Sequence, residues 1–168
     1  MEKRWFLGLW TIILLFQFSN AQEHSEISWW NPNDSNFKVV EGQAWPGEVA
    51  STYHRFPKQA EGVVREAVWN LSKHSAGLSI RFRSNARSIS VRYKVKGNHA
   101  MPHMPATGVS GVDLYGKTSD GEWRWYRGKY SFADTVQYKY SNIDPKELYH
   151  DKGREYQLYL PLYNEVEW

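Results

Sequence analysis

The chain has 168 residues, 41% hydrophobic, 23% charged and 16% aromatic, with no cysteine and a formal charge of +3. The length suits one globular domain, and zero cysteines exclude a disulfide scaffold, a thiolate zinc site and a cysteine nucleophile. The small, evenly spread charge argues against binding nucleic acid or an anionic membrane, whereas 9 Trp, 11 Tyr and 7 Phe point to pleated, half-buried surfaces.

In chain order, Glu2, Lys3 and Arg4 form a charged head with a basic excess, and Trp5 to Phe16 is almost wholly apolar. That run is too short to cross a hydrocarbon core of about 30 Å comfortably. Ser19 and Ala21 set small residues where a signal peptidase reads. Residues 1–21 are therefore expected to be a signal peptide cleaved after Ala21, leaving an exported protein with no membrane attachment. Residues 22–40 are polar and rich in turn formers around Trp29 and Trp30, and read as an arm whose indoles dock on the domain that follows.

The domain is expected over 41–168. Ala60 to Trp69 is its nearest approach to a helical period, but Gly62, Val63, Val64 and Val68 weaken it, and a strand is expected over Val64–Leu71. Leu78, Ile80 and Phe82 alternate with polar residues, as do Ile89, Val91, Tyr93 and Val95 after the turn-forming Ser84 to Arg87. This predicts a β-hairpin with one buried face and an outer face bearing Arg81, Arg83, Arg92 and Lys94. Further strands are expected at Gly111–Tyr115, Trp123–Arg127, Val136–Tyr140 and Tyr156–Leu160, with a turn at Asp120-Gly121 and a helical turn begun by Asp144-Pro145. The fold expected is all-β, an antiparallel sandwich or jelly roll of about seven to nine strands. Alternation still runs at Trp168, which predicts that the natural chain continues.

The residues of a self-contained enzyme are missing from the pattern. Gly108-Val109-Ser110-Gly111 fails the spacing of a nucleophile elbow, and none of the six histidines has an aspartate three residues before it. His99 and His103 stand four apart, but Gly97, Pro102 and Pro105 forbid the helix that would pair them on a metal. No metal and no cofactor are expected. Asp113, Asp120 and Glu122 are close in sequence, yet the last two belong to a turn where carboxylates are ordinarily solvated. On a strand, Trp123, Trp125 and Arg127 share one face, and Arg124 and Tyr126 take the other. These rings are either sandwich core, which the apolar area of tryptophan favours, or a platform for stacking sugar rings.

Several blocks then occur in order: Glu41-Gly42-Gln43-Ala44-Trp45, Arg65 to Ser72, Ser75 to Leu78, Ile80 to Ser84, His103 to Tyr115, and Tyr159 to Asn164. Together, over residues 29–166, they resemble the N-terminal domain, named for its G-x-D-L-Y motif, of bacterial SGNH/GDSL-type esterases; here the motif is Gly111-Val112-Asp113-Leu114-Tyr115. The resemblance implies a β-sandwich fused in relatives to an α/β hydrolase that removes acyl groups, often acetyl, from glycans. No hydrolase domain is present in this sequence, so the resemblance supplies no catalytic residue. The expected function is a non-catalytic accessory domain of a secreted carbohydrate esterase, packing on the hydrolase module and shaping its substrate access. The alternative is an independent carbohydrate-binding module. The motif is expected to be structural or interdomain, with Asp113 turned away from Val112 and Leu114 to cap a loop or accept a bond across an interface. His99, His103 and Met104, on a proline-stiffened loop, are candidates for a partner or the substrate rim, and Trp123, Trp125 and Tyr126 for glycan stacking. The expected location is the periplasm or outer surface of a bacterium, and the expected partners are the hydrolase domain and an acylated glycan or polysaccharide.

Overall fold

The computed structural model describes residues 27–141, 143–144 and 152–167. The expected leader, and the helical turn expected from Pro145, lie outside the described residues. Elsewhere the apolar–polar alternation resolves into eight strands: β1 (Val40–Glu41), β2 (Ser79–Ser84), β3 (Ile89–Tyr93), β4 (Asp113–Lys117), β5 (Trp123–Tyr126), β6 (Lys129–Phe132), β7 (Val136–Tyr140) and β8 (Arg154–Tyr159). They form two antiparallel sheets, ordered β1-β2-β8-β4-β5 and β3-β7-β6. The fold is the expected all-β sandwich.

Register explains the core. Ile80 lies opposite Leu158, Leu158 opposite Leu114, and Leu114 opposite Tyr126, so one apolar row crosses four strands of the larger sheet. Tyr93, Val136, Tyr138 and Tyr140 face it from the smaller sheet, and all eight residues are buried. Tyrosine supplies apolar area together with a hydroxyl that needs a partner. Tyr93 Oη donates to the Ser110 carbonyl at 2.5 Å and Tyr140 Oη to the Val112 carbonyl at 3.3 Å. At Gly116 a Cβ would stand 2.7 Å from the Tyr126 ring and 3.0 Å from the Tyr156 ring. The edge-to-face pair of those rings, 6.1 Å apart, therefore fits only over a hydrogen atom.

The hairpin expectation is corrected. β2 and β3 occur where the alternation sets them, but they belong to different sheets. Alternation fixes which side chains point inward; it does not choose the neighbouring strand. β2 takes a six-pair register with β8, setting Ile80 and Phe82 beside Leu158 and Tyr156, while β3 lies along β7 with Val91 opposite Tyr138. Residues 85–88 form a corner between the sheets. The strand expected over Val64–Leu71 is also corrected, to the helix α1 (Glu66–Ser72). Gly62, Val63 and Val64 lie ahead of the helix, so only Val68 weakens its interior, and Trp69 and Ser72, three residues apart, bury one side. Strand β6 was not expected; Arg127-Gly128 carries the chain across to the second sheet within what reads as continuous strand sequence.

The Asp120-Gly121 turn joins β4 to β5 as expected, with Gly121 at φ +90° and its N–H on the Thr118 carbonyl at 3.0 Å. The indoles of the arm meet the domain at β2 of the larger sheet and at β3 of the smaller one. The Trp30 ring lies 6.3 Å from that of Phe82, and the Arg92 guanidinium stands 4.1 Å over Trp29.

Candidate functional site

The motif region starts at Pro105, whose fixed φ suits the residue before the short helix α2 (Ala106–Val109). The chain then turns through Ser110 and Gly111 into β4. A Cβ on Gly111 would fall 2.2 Å from the Thr107 carbonyl oxygen and 2.8 Å from the Tyr138 hydroxyl, so close backbone approach requires glycine here. Beyond it parity divides the motif. Val112 and Leu114 are buried, whereas Asp113 is exposed and Tyr115 half-buried on the outer side of the sheet.

The stiff loop expected to meet a partner is stapled to the C-terminal segment by Asn164, which is buried at 3% exposure. Its Oδ1 accepts from Gly97 N–H at 2.9 Å, and its Nδ2 donates to the Asn98 carbonyl at 3.0 Å and to Ser110 Oγ at 2.9 Å. Ser110 Oγ donates in turn to the His99 carbonyl at 3.0 Å, and Tyr163 N–H to the Val109 carbonyl at 3.0 Å. Met101 and Met104 exchange backbone hydrogen bonds of 3.0 and 3.1 Å, closing the loop tip. His99 packs its ring 5.7 Å from Phe132, while His103 stands exposed at the tip and Met104 is half-buried. The two histidines are thus held apart in role, and among the described residues no three His, Asp or Glu side chains gather as a metal site.

Beside this loop lies a concavity of about 530 Å³ whose walls include Lys73, His74, Lys96, Met101, Tyr163 and Glu165. Glu165 receives His54 Nε2 at 3.1 Å and lies 3.6 Å from Lys96 Nζ. Burial holds the His74 imidazole below its ordinary pKa, and the Arg55 cation adds to this against the opposing pull of Glu165, so His74 is neutral at pH 7. The His54–Glu165 pair, 111 residues apart, was invisible to a search for local acid–histidine spacing. Among the described residues the buried His54 Nδ1 has no hydrogen-bond partner. Along this edge Val166 bridges Val95, and Glu167 N–H donates to the Lys94 carbonyl at 3.0 Å.

The outer face of the five-stranded sheet is the second candidate. Tyr115 lies opposite Trp125, and Lys117 opposite Trp123. The two indoles are exposed, at 53% and 38%, which corrects the expectation that they form sandwich core. Leu114 is the reason: opposite it, Tyr126 must point inward, so its neighbours Trp123 and Trp125 point out. Tyr126 is accordingly corrected as a stacking residue, because it is buried with its hydroxyl bonded by the Arg154 guanidinium. Asp113 Oδ1 accepts from Trp125 Nε1 at 2.9 Å, a local hydrogen bond across to β5. Tyr159, 41% exposed, stands edge-on to Tyr115 with ring centres 5.6 Å apart. Sequence reading missed Tyr115 and Tyr159 as members of this face, since only strand pairing brings them beside the indoles.

Residues 27–168 match the family GxDLY, described as the N-terminus of SGNH-hydrolase-type esterases. Among solved structures, a Bacteroides ovatus protein described as a GDSL-like lipase is similar, with 27% identity and a TM-score of 0.65. The match covers 77% of this chain and 36% of that one, so this chain spans about a third of the length of that protein. No curated protein matches the sequence. The family's position at the N-terminus of such esterases implies no catalytic role for this region alone. The chain belongs to the GxDLY family, the N-terminal domain of SGNH-type esterases.

Proposed function

We propose that this protein is the non-catalytic accessory domain of a secreted carbohydrate esterase, exported by its first 21 residues, which packs on an SGNH hydrolase module and shapes access to its active site. The observation that carries this reading is the path of the last residues. Val166 and Glu167 run beside Lys94 and Val95, so a module that follows, as in relatives, is tethered next to the Asn164-stapled loop and the concavity at its foot. The stapled loop presents His103 and Met101, and the segment it is stapled to presents Tyr163, with little ordering entropy left to lose, which suits a wall or rim. Glycan binding by the outward Trp123 and Trp125 is the second reading, favoured by their exposure and the hydrogen bond that orients Trp125.

The test joins residues 27–168 to the hydrolase part of the Bacteroides ovatus protein in place of its own matching region. The isolated chain is expected to leave an aryl acetate unhydrolysed. The fusion is expected to hydrolyse it and to unfold in one transition that Tyr163→Arg splits in two. Two independent transitions in the unsubstituted fusion would remove the packing. Turnover by the isolated chain, abolished by replacing one of its own serines, would remove the non-catalytic assignment.

A further inference from the structure

We propose that the outer face of the five-stranded sheet is a stacking platform for an uncharged glycan chain, built from Trp125, Tyr115 and Tyr159 with Trp123 at its border. This rests on the second reading above, glycan binding by the outward indoles, and not on the accessory role.

The register lays the platform out. Arg81, Gln157, Tyr115 and Trp125 are successive cross-strand neighbours, a row about 14 Å long at a strand spacing of about 4.8 Å. Ser79, Tyr159 and Asp113 form the adjacent row, and Trp123 follows Trp125 about 7 Å along β5. That is the footprint of a short oligosaccharide lying flat. The rings are also fixed before anything binds. Asp113 holds the Trp125 indole, Tyr115 and Tyr159 brace each other, and the Lys117 ammonium sits 5.8 Å from the centre of the Trp123 ring. Rings already ordered lose little rotamer freedom on binding. An exposed aromatic patch of this kind marks a binding surface.

Charge selects the occupant. Within the strands the ionisable residues of this face are Glu41, Arg81, Arg83, Asp113, Lys117 and Glu155, three acids against three bases, and Arg127, exposed just past β5 on the parity of Trp125, adds one cation. Arg81 bridges Glu41 and Glu155, and Lys117 lies 3.7 Å from Glu155. One excess cation over so wide a face is a weak field for a phosphate backbone or an acidic chain. Its ion pairs run across β1, β2, β8 and β4, where a protein partner would have to strip them of water. Sugar hydroxyls replace that water at the same charged groups, while the C–H faces of the rings stack on the aromatics. The concavity by Glu165 differs, since Lys73 and Lys96 give it a basic excess.

Tryptophan fluorescence titration of the protein with cellohexaose, xylohexaose, mannohexaose and an acidic oligogalacturonate tests this. At least one neutral hexasaccharide is expected to quench the indoles with an affinity indifferent to salt. Trp125→Ala is expected to weaken binding about tenfold or more, as for a central aromatic contact, and Tyr159→Ala to weaken it as well. Trp125→Phe keeps a stacking ring and is expected to lie between, which preserves the test if the alanine variant folds poorly. Trp30→Phe, in the arm, is expected to bind as the unsubstituted protein does. The proposal is overturned by a flat titration with all three neutral sugars, by undiminished binding in Trp125→Phe and Tyr159→Ala, or by salt-sensitive binding of the acidic sugar alone. It is equally overturned if a joined hydrolase module shields Trp123 and Trp125 from acrylamide, which would make this face a protein interface.

Discussion

The inner and outer rows of the larger sheet are one residue out of step on the same four strands. The inner row reads Ile80, Leu158, Leu114 and Tyr126; the outer reads Arg81, Gln157, Tyr115 and Trp125. Backbone and pairing are common to both, so only side-chain parity separates a packed core from a wet surface. Tyr126 and Trp125 are adjacent in the chain and both aromatic, yet one is 8% exposed and the other 53%. Aromatic content alone therefore does not decide burial. On the inner face a ring is fixed by shape and tight contact, as at Gly116; on the outer face it is fixed by a single hydrogen bond or an edge-on neighbour. The G-x-D-L-Y motif spans both regimes, with Gly111 and Leu114 serving the fold and Asp113 and Tyr115 serving the surface.

High pH is expected to break the core between the two sheets most completely. Burial pushes the Tyr53 and Tyr138 hydroxyls up to about 12, and raises those of Tyr93 and Tyr140. The unfolded chain releases these protons near pH 10, while the folded chain holds them longer. The stability they confer is thus complete below pH 10 and is lost as pH rises from there toward 12. Tyrosinate absorbance and loss of folded circular dichroism should appear together in one steep step. Ionisation of all tyrosines with the fold intact would show that these rings are not sealed in the core.

Within the inner row, Leu114→Ala should cost about 3 kcal/mol, since the side chain has no exposed surface and leaves a cavity. That corresponds to a fall in melting temperature of about 10 °C. Asn164→Ala should cost about 2 kcal/mol by leaving the Gly97 N–H, Asn98 carbonyl and Ser110 hydroxyl short of a partner. Hydrogen exchange should then quicken through residues 97–104 before it quickens in β4; equal quickening in both would deny that Asn164 staples the loop. The smallest effect belongs to the outer face. Asp113→Ala should lower stability by less than about 1 kcal/mol, the loss of one exposed hydrogen bond, while the Trp125 indole gains mobility in fluorescence anisotropy. A loss as large as that of Leu114→Ala would erase the contrast between the two faces.

The strand positions were legible because alternation survives in a single sequence: Val136–Tyr140 was read with its observed bounds, and β2 and β3 were found within two residues. Their partners were not legible. The short link at 85–88 fits a hairpin and an inter-sheet corner equally well, and the complementary faces of β8 and β7 made the choice. The parity of Trp123, Trp125 and Tyr126 was also visible, but its direction was not, since it follows from Leu114 lying opposite Tyr126. Asn164 was noticed only as part of a block, because its partners lie up to 67 residues away.

The amino-acid order by itself determined the β-rich class, the family and the grouping of residues that share a side of each strand, because these depend on period-2 spacing and short motifs. Only the tertiary structure decided which strands are neighbours, which tryptophans meet water and which side chain pins the loop. Those outcomes depend on contacts between segments far apart in the chain, and local spacing carries no information about the distance between them.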